Sequence, residues 1–190
     1  MTPEGITGAI LAGGESRRMG GNKPFVIYKG KPLIQWVYDA MVPVCDEILV
    51  IANSGDYSFL NARVIMDNFP GAGPAAGIEA ALAAASHSLV LTSSCDTPNL
   101  SPDFYRYLIK NHRDLDVSIA GLEEYEEPLI GLYHTRIHKI YLESLRSGNN
   151  RPREIISQLR RQVIRVYPGD SLYRTDLFLN LNSPQDLLAT

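Results

Sequence analysis

Short apolar runs alternate with longer stretches in which apolar positions return every three or four residues, and this alternation predicts an α/β chain. Residues 6–11, 47–52 and 88–95 are brief and rich in Ile, Leu and Val, as buried strands are. Residues 62–66, 116–121, 128–134 and 162–167 extend the set of strands. Residues 177–181 close it, with Asn180 and Asn182, two positions apart, on one side. Between the strands, Leu33, Val37, Ala40, Met41 and Val44 form a core-facing stripe on a helix that starts near Pro32, with Trp36 in a structural place on its flank. Residues 78–85 are a helix dominated by alanine, entered from a small-residue loop over residues 70–77. Ser101 and Pro102 open a helix whose inner face is Phe104, Tyr107, Leu108 and Ile109. Ile137, Ile140, Tyr141, Leu142 and Leu145 mark another helix, residues 154–160 a further one, and Ser183 caps the last. The pattern predicts one three-layer α/β/α domain over residues 1–190, with a mostly parallel sheet.

Composition narrows the class without changing the fold. The 190 residues are 45% hydrophobic and 21% charged, in the range of ordinary globular proteins and enough for a substantial core. A net charge of −3 speaks against a nucleic-acid binder. Charge is nonetheless uneven: Arg17, Arg18, Lys23, Lys29 and Lys31 face only Glu15 between residues 15 and 31, a patch suited to a small anionic ligand. Cys45 and Cys95 form no C-x-x-C, which supports neither a disulfide scaffold nor a zinc site. No apolar run approaches the ~20 residues of a spanning helix, and the first residues lack signal-peptide anatomy, so the expected location is the cytoplasm, with no membrane partner.

The candidate chemistry lies where strands end. After residues 6–11 the chain passes through Leu11, Ala12, Gly13, Gly14, Arg17, Arg18, Gly20, Gly21 and Lys23. A buried strand followed by a flexible, amide-rich, cationic loop suits a triphosphate. The loop has neither the G-x-x-x-x-G-K-[ST] nor the G-x-G-x-x-G order. Asn53 and Asp67 follow the next two strands, where the crevice of an open α/β sheet lies, although both residue types also form turns. Asp96 stands at the tip of the strand 88–95 before Thr-Pro, placed either to hold a hard cation or to shape a turn. Cys95 beside it is expected to be a buried strand residue. His134 and His138 have zinc-helix spacing without the glutamate of H-E-x-x-H, so they are expected to be structural or exposed. Residues 123–127, four glutamates around Tyr125, are expected to form a solvated acidic turn.

Leu11–Gly14, Ser16, Arg18, Met19, Gly20 and Lys23 fall on an L-A-G-G-x-S-x-R-M-G-x-x-K pattern. With Gly73-Pro74-Ala75-Ala76-Gly77, Cys95-Asp96-Thr97-Pro98 and Asn180-Leu181-Asn182, the chain resembles the molybdenum cofactor guanylyltransferases from about residue 6 to 188. One departure is Asn22, where many relatives have Asp. The resemblance implies a Rossmann-like nucleotidyltransferase fold with a mostly parallel mixed sheet. It implies GMP transfer from GTP to the terminal phosphate of molybdopterin, or molybdenum-loaded molybdopterin. Lys23, with Arg17 or Arg18, would hold the triphosphate, and Mg²⁺ would sit on Asp96. Leu11, Ala12, Gly13, Gly14, Asn53, Asp67, Gly73 and Gly77 would form the GTP site, and Asn180 and Asn182 would orient the acceptor. A monomer or weak homo-oligomer is expected, with cofactor-delivery or acceptor proteins as partners. A cytidylyltransferase, a sugar-1-phosphate nucleotidyltransferase and a nucleotide-binding module without turnover stay open as alternatives.

Overall fold

The computed structural model describes residues 5–13 and 23–181. In its interior lies β1 (Thr7–Leu11), buried at every position. A strand covered on both faces has no place for a polar side, which is why this run is apolar throughout except for Thr7 and Gly8. β1 pairs in parallel with β4 (Glu47–Ile51) and β6 (Leu89–Ser94), and β4 with the short edge strand β5 (Arg63–Ile65). Beyond β6 the direction reverses. β8 (Tyr125–His134) runs antiparallel to β6 and to β7 (Val117–Leu122), and β7 is parallel to β9 (Arg161–Val166). The order β5-β4-β1-β6-β8-β7-β9 is the mixed, mostly parallel sheet that was expected.

Successive residues of each central strand feed opposite layers. Ile10, Ile48 and Val50 pack under α1 (Leu33–Met41) and α3 (Pro102–Asn111). Ala9, Leu11, Leu49 and Ile51 pack under α2 (Pro74–Ala84), α4 (His138–Arg146) and α5 (Pro152–Ile156). Each fully buried aliphatic side chain contributes roughly 1.5–3 kcal/mol, so two such layers hold the sheet between them. Before α1, β2 (Ile27–Tyr28) and β3 (Lys31–Pro32) make a two-residue hairpin, with Lys29 and Gly30 both at positive φ as the favoured hairpin turn requires. Trp36 has the structural place expected of it: its Nε1–H donates to the Tyr28 carbonyl at 2.9 Å, beneath the Lys31 ammonium. Among the described residues no helix is long and apolar enough to cross a membrane.

Several expectations require correction. Residues 177–181 are not a strand. Turns carry the chain there, with Leu177 N–H on the Arg174 carbonyl and Leu179 N–H on that of Asp176. The spaced leucines serve two clusters instead: Leu177 enters the main core, while Leu181 joins Tyr28 and Leu33. α2 begins at Pro74, four residues before the expected start, because Gly73 at φ +70° turns the chain into a proline already set for a first helical turn. Tyr105, missed in the sequence, is fully buried with its hydroxyl on Ser93 Oγ at 2.7 Å. Ile140 lies on α4 as expected, with its side chain exposed, while the helix expected over residues 154–160 is α5, ending at Ile156.

Residues 123–127 are not a solvated loop. Only the first two make the hairpin turn, with Glu123 at φ +51°. Glu126 pairs with Arg161 and Arg165 of β9, and the buried Glu127 accepts from Leu129 N–H and the Tyr125 hydroxyl. Strand β7 lies between, and its Gly121 is the register partner of both Glu126 and Arg165. A Cβ there would come within 2.9 Å of Arg165 Cγ, so the missing side chain gives the arginine its path across the sheet.

Candidate active site

Two groups of the expected residues meet at the carboxyl ends of β1, β4, β5 and β6. The first lines a cleft of about 410 Å³ formed by Leu11, Gly13, Ile51, Asn53, Asp67, Pro70, Gly71, Gly73, Pro74 and Gly77. Asn53 and Asp67, each just past a strand, hold one another. Asn53 Nδ2 donates to Asp67 Oδ2 at 2.6 Å, and Asp67 N–H donates to Asn53 Oδ1 at 3.0 Å. Phe69 N–H fixes Asp67 Oδ1 at 3.1 Å. The carboxylate is thereby held at the cleft with lone pairs to spare. A Cβ on Gly13 would lie 3.9 Å from Asp67 Oδ2, and one on Gly77 would press Leu11 Cδ2 at 3.2 Å. Small residues thus keep the cleft open between β1 and the first turn of α2. Ala12 stands beside it, but its amide is committed to the Ile51 carbonyl at 2.9 Å and serves the sheet, not a ligand.

The second group gathers on Asp96. Cys95 N–H donates to the Leu11 carbonyl at 3.2 Å, which carries the β1–β6 pairing to the residue before the carboxylate. The Asp96 and Lys23 side chains are about one-tenth exposed and form a direct ion pair through Oδ2 and Nζ. The Ser94 hydroxyl donates to Oδ1. The Asn180 carboxamide nitrogen, assigned from the acceptors around it, donates to Oδ1 at 2.5 Å and Oδ2 at 2.7 Å. Leu181 N–H donates to the Asp96 carbonyl at 3.2 Å, which brings the C-terminal strap to this point. Thr97, also buried, closes the turn through its hydroxyl on the Ser94 carbonyl at 2.9 Å.

Sequence reasoning placed Thr97 in the turn after Asp96 but missed Ser94. The signal for Ser94 was a hydroxyl two residues before a strand-end aspartate, a spacing at which the side chain reaches forward to the carboxylate. Gly14, Arg17, Arg18 and Asn182 lie outside the described residues. Burial pushes the Cys95 thiol up to about 12, so it stays protonated near neutrality and behaves as the strand-end packing residue expected. His134 and His138 make no metal pair. His134 Nδ1 accepts from Arg136 N–H, while His138 Nε2 meets the buried Glu79 carboxylate at 2.7 Å.

The Asp96 cluster offers oxygen donors to a cation. Among the described residues no group of three or more Asp, Glu, His or Cys side chains converges, which leaves a single carboxylate with a hydroxyl and a carboxamide. That set fits a hard ion that takes most of its ligands from phosphate and water, and does not fit zinc. The ammonium of Lys23 against Oδ2 shows that the position already stabilises a positive charge.

The sequence profile of the MobA-like NTP transferase domain matches residues 8–163. A probable molybdenum cofactor guanylyltransferase of Carboxydothermus hydrogenoformans is 36% identical over 96% of this chain and 93% of its own. A molybdenum cofactor guanylyltransferase of Desulfosudis oleivorans is 34% identical over 97% of this chain and 93% of its own. Among solved structures, the molybdopterin-guanine dinucleotide biosynthesis protein A of Archaeoglobus fulgidus superposes with a TM-score of 0.78 at 25% identity, covering 96% of this chain and 95% of that one. The 2-C-methyl-D-erythritol 4-phosphate cytidylyltransferase of Thermus thermophilus superposes with a TM-score of 0.70 at 17% identity, covering 95% of each, a likeness of fold alone.

Proposed function

The chain belongs to the MobA-like NTP transferase family, and from that premise we propose that it transfers GMP from GTP to the terminal phosphate of molybdopterin or its molybdenum-loaded form. An acceptor phosphate oxygen attacks the α-phosphorus, the bond to the bridging oxygen breaks, and pyrophosphate leaves. The observation that carries this reading is the carboxylate of Asp67, held by Asn53 at a cleft beside the Lys23–Asp96 pair.

The cleft supplies selection. Guanine presents an N1–H and an N2 amino group side by side, and a fixed carboxylate accepts both. The matching edges of adenine and cytosine each offer one amino donor beside a ring-nitrogen acceptor, which a carboxylate repels. Replacing Asp67 by Asn puts a donor against those donors. It is expected to lower kcat/KM for GTP by about 1–3 kcal/mol, the range of a lost bidentate base contact.

The Asp96 cluster supplies charge. Both reactants are anions and the acceptor is already a nucleophile, so positioning and neutralisation make up the catalysis. Lys23 exchanges Asp96 for the triphosphate, and its release leaves the carboxylate to a cation. Mg²⁺ is the cofactor this reading calls for: Asp96 would hold it, with the Ser94 hydroxyl and the Asn180 carboxamide nitrogen steadying the carboxylate, and it would supply Lewis-acid neutralisation of phosphate charge. Arg17 and Arg18 assist on the phosphates, and Asn180 with Asn182 orients the acceptor. The protein works in the cytoplasm as a monomer or weak homo-oligomer, meeting cofactor-delivery or acceptor proteins there.

Pyrophosphate release with each nucleotide, with and without molybdopterin, tests the proposal. Release with GTP that requires both molybdopterin and Mg²⁺ supports it. Faster release with CTP moves the chain to the cytidylyl reaction, and nucleotide binding without release under any condition makes it a binding module.

A further inference from the structure

We propose that Ser94 is a positioning residue, which holds the Asp96 carboxylate in its metal-facing pose once Lys23 has moved to phosphate. The inference rests on the reading of Asp96 as the carboxylate of the metal site.

Among the described residues three side chains touch that carboxylate, and they differ in how firmly they are held. Lys23 closes the phosphate-loop segment and is the group the triphosphate calls away. Asn180 sits on a strap of turns, the segment read as facing the acceptor. Ser94 alone belongs to the central sheet. It is the last residue of β6, in register with Leu11, the last residue of β1. It holds the following turn twice, through its carbonyl on the buried Thr97 hydroxyl and through its own hydroxyl on Asp96 Oδ1. When Lys23 leaves, Oδ1 stays tied to the sheet, while Oδ2 gives up the ammonium and keeps the Asn180 carboxamide nitrogen at 2.7 Å. A carboxylate with one oxygen fixed presents the other without losing rotational freedom on binding. Partners of this kind, which touch a metal ligand rather than the metal, are worth about 10–100-fold in affinity.

The test compares Ser94→Ala, Ser94→Thr, Ser94→Cys and Asp96→Asn. Mn²⁺ affinity is read by electron paramagnetic resonance in the presence of a non-hydrolysable GTP analogue, and the thermal midpoint is read without metal. Ser94→Ala is expected to weaken Mn²⁺ about 10-fold and to raise the Mg²⁺ needed for half-maximal turnover by the same factor. KM for GTP at saturating Mg²⁺ and the metal-free midpoint should stay near wild type. Ser94→Cys, close in size but a weak donor, should share the loss, and Ser94→Thr should restore the affinity. Wild-type Mn²⁺ affinity in Ser94→Ala, or a loss that follows the midpoint and that Thr does not restore, overturns the assignment. Asp96→Asn separates the two levels. If it abolishes Mn²⁺ binding while Ser94→Ala leaves binding intact, only the role of Ser94 falls. If it binds Mn²⁺ normally, the metal site and the role of Ser94 fall together.

Discussion

Removing one partner of the Lys23–Asp96 pair and removing both should have different consequences, because both side chains are nearly buried. Asp96→Ala takes the carboxylate away from a nearly buried ammonium, and breaking a buried pair on one side costs about 3–5 kcal/mol. The double replacement Lys23→Ala/Asp96→Ala is expected to be less destabilised than the sum of the single changes by about 1–3 kcal/mol, measured by urea unfolding. An additive result would mean that the two charges do not act on each other. The same pair predicts opposite effects on nucleotide. Without Mg²⁺, Asp96→Ala should bind GTP at least as tightly as wild type, since the competitor for Lys23 is gone. Lys23→Ala should bind GTP more weakly with or without metal. Calorimetric titration in the two conditions distinguishes these outcomes.

At the scale of elements, the turn in sheet direction depends on one irregular strand. In β8 the register passes from Gly131 opposite Ile119 to Glu127 opposite Ala120, so residues 128–130 bulge out of the ladder. Pro128 has no N–H to lose there, the Glu127 carboxylate accepts from Leu129 N–H, and the Tyr133 hydroxyl donates to the Pro128 carbonyl. Gly131 closes the bulge under tight constraint. A Cβ would lie 2.5 Å from the Ser118 carbonyl oxygen and 3.0 Å from Ile119 Cα, backbone atoms that cannot swing aside. Gly131→Ala is therefore expected to destabilise by about 3 kcal/mol, the upper part of the range for overpacking. The urea midpoint should fall with the slope unchanged. Gly148, whose Cβ would meet nothing within 4 Å, does not pack against a neighbour in this way.

Across the whole molecule, Asp116 ties three segments at the end of the sheet opposite the cleft. Arg160 donates its N–H to Oδ2 at 3.0 Å and its guanidinium to Oδ1 at 3.1 Å, and Arg136 Nε reaches Oδ1 at 2.8 Å. The Arg160 side chain first, with the Arg160 N–H and Arg136 adding to it, lowers the carboxyl from 3.8 to about 2 against the opposing effect of burial. A pKa lower in the folded state means that the unfolded chain binds this proton first as pH falls. The stabilisation is thus complete above about 3.8 and is lost as pH falls through about 2. Asp116→Asn should be less stable than wild type near neutrality, and the two urea midpoints should converge as pH approaches about 2. A gap that stays constant with pH would mean that the arginines do not stabilise the charge.

Much of this was legible in the chain itself, because its causes are local. Apolar runs and Ser101 before Pro102 each act within a few residues, so they predicted β1, β4, β6, α1 and α3 in their observed order. The sites at strand ends were legible for the same reason: Asn53, Asp67 and Asp96 each follow a recognisable strand. Other features needed segments distant in sequence to meet. Lys23 and Asp96 are 73 residues apart, and no window contains both. Alternating leucines at 177, 179 and 181 imitate a strand, but among the described residues no strand pairs with them, and a turn delivers Asn180 instead. Tyr105 is buried because Ser93 offers its hydroxyl a partner, and Glu126 gains a counter-charge because Gly121 lets Arg165 across. Periodicity decides which face a residue occupies along its own element. Only the packing of one element on another decides what stands opposite that face, and here that opposition supplies the counter-charges, the bulge and the hold on Asp96.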